Sequence, residues 1–411
     1  MHTNPIVRSI VAAITLFIAA GCATAERDDT TAGADERGAV DGAFEGEWRH
    51  PFDVSETLYP FTSRVYEWNG LAYHYIDEPP VGGGEPAGTV LAVHGNAAWS
   101  FIYRKIVAPL TEAGFRVVAT DQFGFGMSDK PPVSRFGYMP HDHAEVLADF
   151  IREMDLQEIY LVLQDWGGPI GLAAGIEERH RVRALVIMNT WAWPLHEIRP
   201  GETSFMHVVH DRGVHAATEA AFYRNGALIR RGGSGVARRN AEEGTPEYIA
   251  VRNAMWAPYL ELTEPHEPLR EDIMDAVHIS AMATLRDDAF LRRLDNSLDA
   301  LTNLPAYFAF GDDTAFGPYK VDLGLQGAPR APCMDGFTPE RGEIDARTNC
   351  VDAAGRPYWY PLERFLDRWN NDRVVGVWKD PSVGHWVQDE APHVVVDAVR
   401  QLYAFTRRNL P

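Results

Sequence analysis

Three acid–base residues, far apart in the chain, could together carry out a covalent hydrolysis. Asp165 follows the apolar run IYLVL and precedes a helix-like run, PIGLAAGIEE, with Gly167 between them. A sharp strand-to-helix turn of this kind exposes a nucleophile at the carboxyl edge of a parallel sheet. Because an aspartate has a reference pKa of about 3.9, its carboxylate is ionised at neutral pH and can attack carbon without a base. We therefore predict that Asp165 is a nucleophile that forms an ester with its substrate.

Hydrolysis of such an ester requires a general base, for which His385 is the candidate. It lies in DPSVGHWVQDEAP, between the last predicted strand and a helix. The chain order nucleophile, acid, histidine is that of α/β-hydrolases, so the acid is expected at the end of the preceding strand. There the sequence YFAFGDDTAFG offers Asp312 and Asp313, and the residues alone leave both possible.

The segments that carry these residues alternate between strand-like and helix-like patterns. Near-continuous apolar runs such as TVLAV and ALVIM are typical of strands buried on both faces, hence of a parallel sheet. The alternation predicts an α/β fold, a mostly parallel eight-stranded sheet flanked by helices. The predicted strands are 64–68, 71–76, 89–93, 116–120, 159–163, 184–188, 306–310 and 374–378, and the predicted helices 101–113, 141–154, 169–178 and 392–407.

The alternation stops between residues 195 and 303, where helix-like and charged patterns dominate. We interpret this segment as a helical cap inserted into the sheet domain. The core is then formed by residues 47–194 and 304–411. A stretch rich in Gly and Pro at about 319–358 is too long for an ordinary connection and is predicted as an insertion in the second part of the core.

Four motifs resemble those of haloalkane dehalogenases, which belong to the α/β-hydrolase superfamily: HGNAAWSFIYR, DQFGFGMSDKP, QDWGGPIGL and GHWVQDEAP. The resemblance covers roughly residues 51–411 except the cap and the insertion. It implies the α/β-hydrolase fold and an SN2 attack of Asp165 on a halogen-bearing carbon, with His385 as the base. It favours Asp313 over Asp312 as the acid, because DTAFG matches the family pattern. It also implies a small halogenated organic substrate, water as the co-substrate and no cofactor.

The leaving halide requires donors in a dry pocket, because its charge develops in the transition state. Trp166 offers an indole N–H and Asn96 an amide NH₂. The two match the family's halide-stabilising pair of one tryptophan and one asparagine. The backbone N–H groups of Asn96 and Trp166 are expected to form the oxyanion hole of the hydrolytic step.

Two other functions use the same scaffold. One is an epoxide hydrolase or another α/β-hydrolase that shares the aspartate nucleophile. An epoxide hydrolase protonates its substrate with two cap phenols, for which Tyr223, Tyr248 and Tyr259 are candidates. A non-catalytic ligand-binding protein would not require an intact catalytic set. The pair of Asn96 and Trp166 favours the dehalogenase.

The chain has 411 residues, with 58 Asp and Glu against 38 Lys and Arg, and a formal net charge of -20. So acidic a surface argues against nucleic acid as a partner and against electrostatic binding to anionic membranes. No CxxC motif or Cys/His cluster indicates a metal site. The pair His141 and His143 is interpreted as the polar, solvated start of a helix.

The N-terminus is predicted to direct export. An apolar run ends in IAAGC, which resembles the lipobox of bacterial lipoproteins, with Cys22 as the acylated residue. Residues 1–22 are then a signal peptide, and the polar residues 23–46 a disordered tether. The alternative is an ordinary signal peptide cleaved after Ala25. The first interpretation implies a periplasmic or membrane-anchored lipoprotein of a bacterium, bound to the membrane only through its lipid.

Two further cysteines are consistent with export. Cys333 and Cys350 remain as one possible pair once Cys22 carries lipid. In an oxidising compartment they are predicted to form a disulfide. The alternative is two separate thiols.

Overall fold

The computed structural model describes residues 54, 56–96, 98–194, 235–259, 288–311, 361–380 and 382–408. Within these ranges, eight strands form one sheet in the order β1-β2-β4-β3-β5-β6-β7-β8. Pairing is antiparallel between β1 and β2 and between β2 and β4, and parallel elsewhere. The strands are β1 (Ser63–Trp68), β2 (Leu71–Glu78), β3 (Thr89–Val93), β4 (Arg116–Thr120), β5 (Ile159–Gln164), β6 (Val182–Met188), β7 (Ala306–Gly311) and β8 (Val374–Asp380). The predicted sheet of eight mostly parallel strands is confirmed.

Helices flank the sheet, as predicted. They are α1 (Arg104–Glu112), α2 (Pro140–Glu153), α3 (Gly167–Glu177), α4 (Pro246–Trp256), α5 (Asp288–Ser297), α6 (Pro361–Arg368), α7 (Val387–Glu390) and α8 (Pro392–Arg408). The predicted helix 101–113 is divided, because a 3-10 turn, Ser100–Tyr103, precedes α1. The helices α6 and α7 were absent from the prediction. The helices α4 and α5 lie in the segment predicted as the cap.

The sheet is buried on both faces, which explains the apolar runs of its central strands. Every residue of β3 and β5 is buried. One apolar cluster contains Leu91, Leu161 and Leu163, and another contains Val90 and Val162 from the same two strands. Because successive side chains of a strand point to opposite faces, one cluster covers each side of the sheet.

Helix α3 packs closely against β5, and this holds the turn between them in place. A Cβ at Gly171 would lie 2.3 Å from Leu163 Cδ2, and one at Gly175 would lie 2.8 Å from Leu161 Cδ1. Glycine at these positions therefore lets the helix lie this close to the strand without displacing the two leucine side chains.

Several predictions fall outside the described residues. These include the signal peptide 1–22, the tether 23–46 and the insertion 319–358, together with Cys22, Asp312, Asp313, Cys333, Cys350 and Tyr223. Within the ranges that are described, no helix combines the length and the apolar character needed to cross a membrane.

Candidate active site

Asp165 lies on a strained turn between β5 and α3. Its φ is +53°, in the left-handed region that non-glycine residues rarely adopt. Its backbone is held on both sides: the N–H donates to Asn189 O (3.1 Å), and the carbonyl accepts from Thr190 Oγ1 (2.6 Å). A Cβ at Gly167 would lie 2.0 Å from the carbonyl oxygen of Val93, so the turn requires glycine there. The fold therefore fixes this one carboxylate beyond the end of β5, as the sequence predicts.

The Asp165 carboxylate has a different partner at each oxygen. Oδ1 accepts a hydrogen bond from the backbone N–H of Asn96 at 2.7 Å. Oδ2 lies 3.4 Å from His385 Nε2. Two elements distant in sequence, the loop after β3 and the loop after β8, thus meet at this carboxylate. The side chain is nearly buried, with 9% of its surface exposed.

The candidate base His385 contacts the side chain of the residue that directly precedes Asp165. Gln164 Nε2 lies 2.8 Å from His385 Nε2. When the amide donates, this ring nitrogen accepts, which places the ring proton of the neutral imidazole on Nδ1. Sequence reasoning missed Gln164, although it directly precedes the nucleophile in the QDWGG motif.

Asn189, the residue after β6, connects the end of β7 with the loop after β8. Its Nδ2 donates to the carbonyls of Gly384 (3.1 Å) and His385 (3.0 Å), and its Oδ1 accepts from Gly311 N (2.9 Å). The side chain is fully buried. The loop that carries the base is thereby bound to the end of β7, where the acid is predicted to follow. Sequence reasoning gave Asn189 no role.

Residues 382–386, which carry the candidate base His385 and are called the base loop, are also bound to residues 235–240 of the predicted cap. Glu390 Oε2 accepts from Gly384 N at 2.7 Å and lies 3.5 Å from Arg239 Nε. Arg239 also donates to Ser382 O at 3.1 Å. Burial raises the pKa of Glu390, although the Gly384 N–H and the Arg239 charge oppose this.

A second group of contacts joins residues 235–240 to helices α1 and α7. The fully buried Asp389 lies 2.6 Å from Arg104 Nη1 and accepts from Asn240 Nδ2 at 2.6 Å. A buried carboxylate is stable only when it is paired and hydrogen-bonded in this way. The carboxylates of Asp389 and Glu390 therefore bind residues 239–240 to the helix that follows the base.

The loop that presents the Asn96 N–H is held by the buried ring of His94. His94 Nδ1 lies 2.7 Å from Gly95 O, and its Nε2 accepts from Gln122 N at 2.9 Å. Burial lowers the pKa of His94. A Cβ at Gly95 would lie 2.2 Å from Asp165 Oδ1. The His-Gly pair of the first motif therefore lets this loop reach the nucleophile.

Asn96 and Trp166, the predicted halide donors, line one pocket beside Asp165. Its empty volume is about 220 Å³, including the space at its mouth. Gln122, Tyr138 and His143 complete its polar lining, and Phe125, Pro140 and Ile170 its apolar wall. The ring of Trp166 is 5% exposed and meets Trp191 edge-on, with centroids 4.9 Å apart. The structure thus brings together the two donors that the sequence predicts.

The interpretation of His141 and His143 as a solvated pair was wrong for His143. Helix α2 begins at Pro140, so that His141 is half exposed whereas His143 is buried within the pocket wall. Two residues along a helix differ by about 200° in direction, which separates the two rings. Among the described residues, no group of three His, Cys, Asp or Glu side chains could hold a metal ion.

Two of the candidate epoxide-binding phenols can be located. Tyr259 is fully buried near Gly126 and Asp121, and Tyr248 is buried with its phenol near the Glu243 carboxylate. Neither ring lines the pocket that contains Asn96 and Trp166.

Comparisons with known proteins agree with this geometry. A family model described as the alpha/beta hydrolase fold matches residues 88–205. Haloalkane dehalogenase 2 of Mycobacterium bovis is 43% identical over 143 residues, which is 35% of this chain and 47% of that protein. The cis-3-alkyl-4-alkyloxetan-2-one decarboxylase of Shewanella oneidensis is 38% identical over 146 residues, 35% of this chain and 44% of that protein. The chain thus matches about half the length of these curated relatives.

The solved structures extend the likeness in fold to most of the chain. A haloalkane dehalogenase from Bradyrhizobium elkani superposes with a TM-score of 0.57 at 19% identity, covering 85% of this chain and all of that one. Because so low an identity reports on the fold alone, activity has to be argued from the residues of the site. The chain has the α/β-hydrolase fold, and over about a third of its length its sequence is similar to that of haloalkane dehalogenases.

Proposed function

We propose that this protein hydrolyses haloalkanes to an alcohol, a halide ion and a proton. The observation that carries the proposal is the position of one ionisable carboxylate, Asp165. It lies between a backbone donor and an imidazole, beside a pocket that contains the side chains of Asn96 and Trp166. A carboxylate nucleophile and neutral donors for a leaving anion are the two requirements of displacement at saturated carbon.

In the first half of the reaction, a carboxylate oxygen of Asp165 attacks the carbon that bears the halogen. The new carbon–oxygen bond forms as the carbon–halogen bond breaks, and the halide takes the bonding electrons. Asn96 Nδ2 and Trp166 Nε1 donate to the departing ion. Because the pocket is small and part of its wall is formed by Phe125, Pro140 and Ile170, these donors act with little competition from water.

In the second half, His385 removes a proton from a water molecule, which attacks the carboxyl carbon of the Asp165 ester. The negative charge that develops on the carboxyl oxygen is stabilised by the Asn96 N–H, which already bonds Oδ1 in the resting site. The Trp166 N–H is the second donor in this proposal. Collapse of the intermediate expels the alkoxide, which takes the proton from the His385 imidazolium and leaves as the alcohol. The new carboxylic acid of Asp165 loses its proton to solvent, which regenerates the carboxylate with one oxygen from water.

The acid that orients His385 is proposed to be Asp313, two residues beyond the end of β7. The contact at the end of β7 supports this, because a Cβ at Gly311 would lie 2.3 Å from Gly384 O. The end of β7 therefore packs directly against the base loop. Asp312 is the alternative, and the Asp312→Asn and Asp313→Asn variants distinguish the two by which one loses ester hydrolysis.

The test uses His385→Gln with a bromoalkane. Wild type should release bromide continuously, whereas the variant should release about one equivalent and retain an alkyl group on Asp165, detected by mass spectrometry of its peptides. Single turnover of wild type in heavy-oxygen water should place the label in the protein. Label that appears only in the alcohol would contradict the covalent mechanism.

Two other functions make different predictions in the same assay. An epoxide hydrolase would open an epoxide without releasing halide, and the positions of Tyr248 and Tyr259 do not favour it. A ligand-binding protein without catalysis would show neither halide release nor an adduct.

We also propose that residues 1–22 direct export, that Cys22 is lipidated, that residues 195–303 form the cap and that Cys333 and Cys350 are disulfide-bonded. Metabolic labelling with a fatty acid should mark wild type but not Cys22→Ser. Peptide mapping without reductant should yield one linked pair. Fatty-acid label on the Cys22→Ser variant would contradict the lipidation. Cys333 and Cys350 that can both be alkylated without reductant would contradict the disulfide.

A further inference from the structure

The pocket beside Asn96 and Trp166 contains an imidazole that the proposed reaction does not use. His143, in the first turn of α2, is 3% exposed and lines this pocket. Neither of its ring nitrogens has a hydrogen-bond partner among the described residues. A buried donor or acceptor that is left unsatisfied costs free energy, so an occupant of the pocket is expected to bind it.

The neighbouring side chains do not supply this partner. The ring of His143 meets the ring of Phe136 edge-on, with centroids 5.0 Å apart. Tyr138 lies at 6.2 Å, and its phenol donates instead to the carbonyl of Pro131. The surroundings of His143 within the protein are therefore aromatic.

The lining of the pocket limits the chemical class of the occupant. Burial lowers the pKa of His143 to about 3, so that near neutral pH the ring is uncharged, with one N–H donor and one acceptor. Asn96 and Trp166 bring further N–H donors to the same pocket. None of the described side chains that line it is a lysine or an arginine. Neutral donors without a cation suit a small, singly charged and weakly hydrated anion better than a phosphate.

We propose that His143 is a third donor of the leaving-group pocket, and that its ring N–H binds the halide ion beside Asn96 and Trp166. This inference rests on the proposed function and adds a residue to the same site. A neutral donor stabilises the departing ion without the lasting attraction of a cation, which would slow the release of the product.

The test measures bromide binding to the purified protein, by fluorescence titration with sodium bromide at ionic strength balanced with sodium sulfate. His143→Phe removes both ring nitrogens, and His143→Gln keeps a side-chain N–H. Phe150→Leu is the control, because Phe150 is buried on the same helix but does not line the pocket. If His143→Phe does not fold, the smaller His143→Leu replaces it.

The dissociation constant for bromide should rise about 10- to 100-fold in His143→Phe, the scale of one hydrogen bond to a charged group. It should stay within about threefold of wild type in His143→Gln and Phe150→Leu. Unchanged bromide affinity in His143→Phe would overturn the inference. Equal weakening of bromide binding in His143→Phe and His143→Gln would also overturn it, because the ring would then act through packing alone.

Failure of the inference and failure of the proposed function are distinguishable. Wild type that binds no bromide would overturn the role of His143 whether or not the protein hydrolyses bromoalkanes. Bromide binding that depends on His143, in a protein that releases no bromide from any bromoalkane, would support the pocket and contradict the proposed reaction.

Discussion

The carboxylate of Glu390 accepts a hydrogen bond from the backbone N–H of Gly384, the residue before the proposed base, at 2.7 Å. This bond closes the base loop onto the helix that follows it. Because Arg239 lies 3.5 Å from the same carboxylate oxygen, the loop is also connected to residues 235–240. The loop that carries His385 is therefore bound through Glu390, which does not touch the proposed reacting atoms.

Replacing Glu390 with alanine should slow hydrolysis of the ester more than its formation. The loop loses an acceptor for the Gly384 N–H, and small displacements of a catalytic group cost about 10- to 100-fold in rate. We expect the alkyl ester on Asp165 to accumulate at steady state, measured by rapid quenching and mass spectrometry. Glu390→Gln keeps an acceptor and should accumulate less. The exposed Glu242→Ala is the control, and equal ester levels in all three variants would exclude the positioning role.

Replacing Asn189 with alanine should destabilise the protein and misplace the base. Its amide satisfies the Gly384 and His385 carbonyls and the Gly311 N–H, all at the buried carboxyl edge of the sheet. Unsatisfied buried groups cost about 1–3 kcal/mol each, so we expect a loss of about 2–4 kcal/mol in the free energy of unfolding. Urea denaturation measures it. Asn303→Ala, an exposed asparagine bonded to Asn370, should change little, and a similar loss in both variants would contradict the account.

Replacing Gly95 with alanine should abolish turnover while leaving the fold largely intact. The new Cβ would lie 2.2 Å from Asp165 Oδ1, so that either the nucleophile or the Asn96 loop has to move. We expect a decrease in kcat/KM of at least about 100-fold. Gly84→Ala is the control for backbone strain without a clash, because its φ of +95° disfavours alanine but a Cβ there meets open space, and it should stay active. An active Gly95→Ala enzyme would show that the carboxylate does not need its present position.

Stability should fall in acid partly because of His143. An exposed imidazole has a pKa of 6.5, whereas burial lowers that of the folded ring to about 3. Between these values the unfolded state binds more protons, so the free energy of unfolding decreases as the pH falls. At about pH 4.5 the protonation of this imidazole in the unfolded state lowers the free energy of unfolding by about 3 kcal/mol.

The measurement for this prediction is urea denaturation of wild type and His143→Phe at about pH 7 and about pH 4.5. Wild type should lose more stability between the two conditions, by roughly the amount above. His180→Phe, which removes an exposed imidazole, should retain the slope of wild type. Equal slopes for wild type and His143→Phe would show that the buried ring does not titrate as expected.

The sequence by itself determined the sheet and the choice of Asp165 as the candidate nucleophile. Runs such as TVLAV and IYLVLQ are apolar throughout because both faces of β3 and β5 are covered, and this pattern is local. Asp165 could be selected because the turn chemistry around it, with Gly167 two residues later, is also local. The candidate donors Asn96 and Trp166 followed from the resemblance of two short motifs, one after β3 and one after β5, to those of a known family.

Only the tertiary structure decided what surrounds these residues. Asn189, Glu390 and Gln164 contact His385 or its loop. Gln164 and Glu390 stand within the quoted motifs, but only the folded chain shows which groups they bind. His143 was assigned to solvent because its neighbours in the chain are polar, yet the direction of α2 turns its ring into the pocket. Long-range packing, rather than residue type, separates a buried donor from a solvated one.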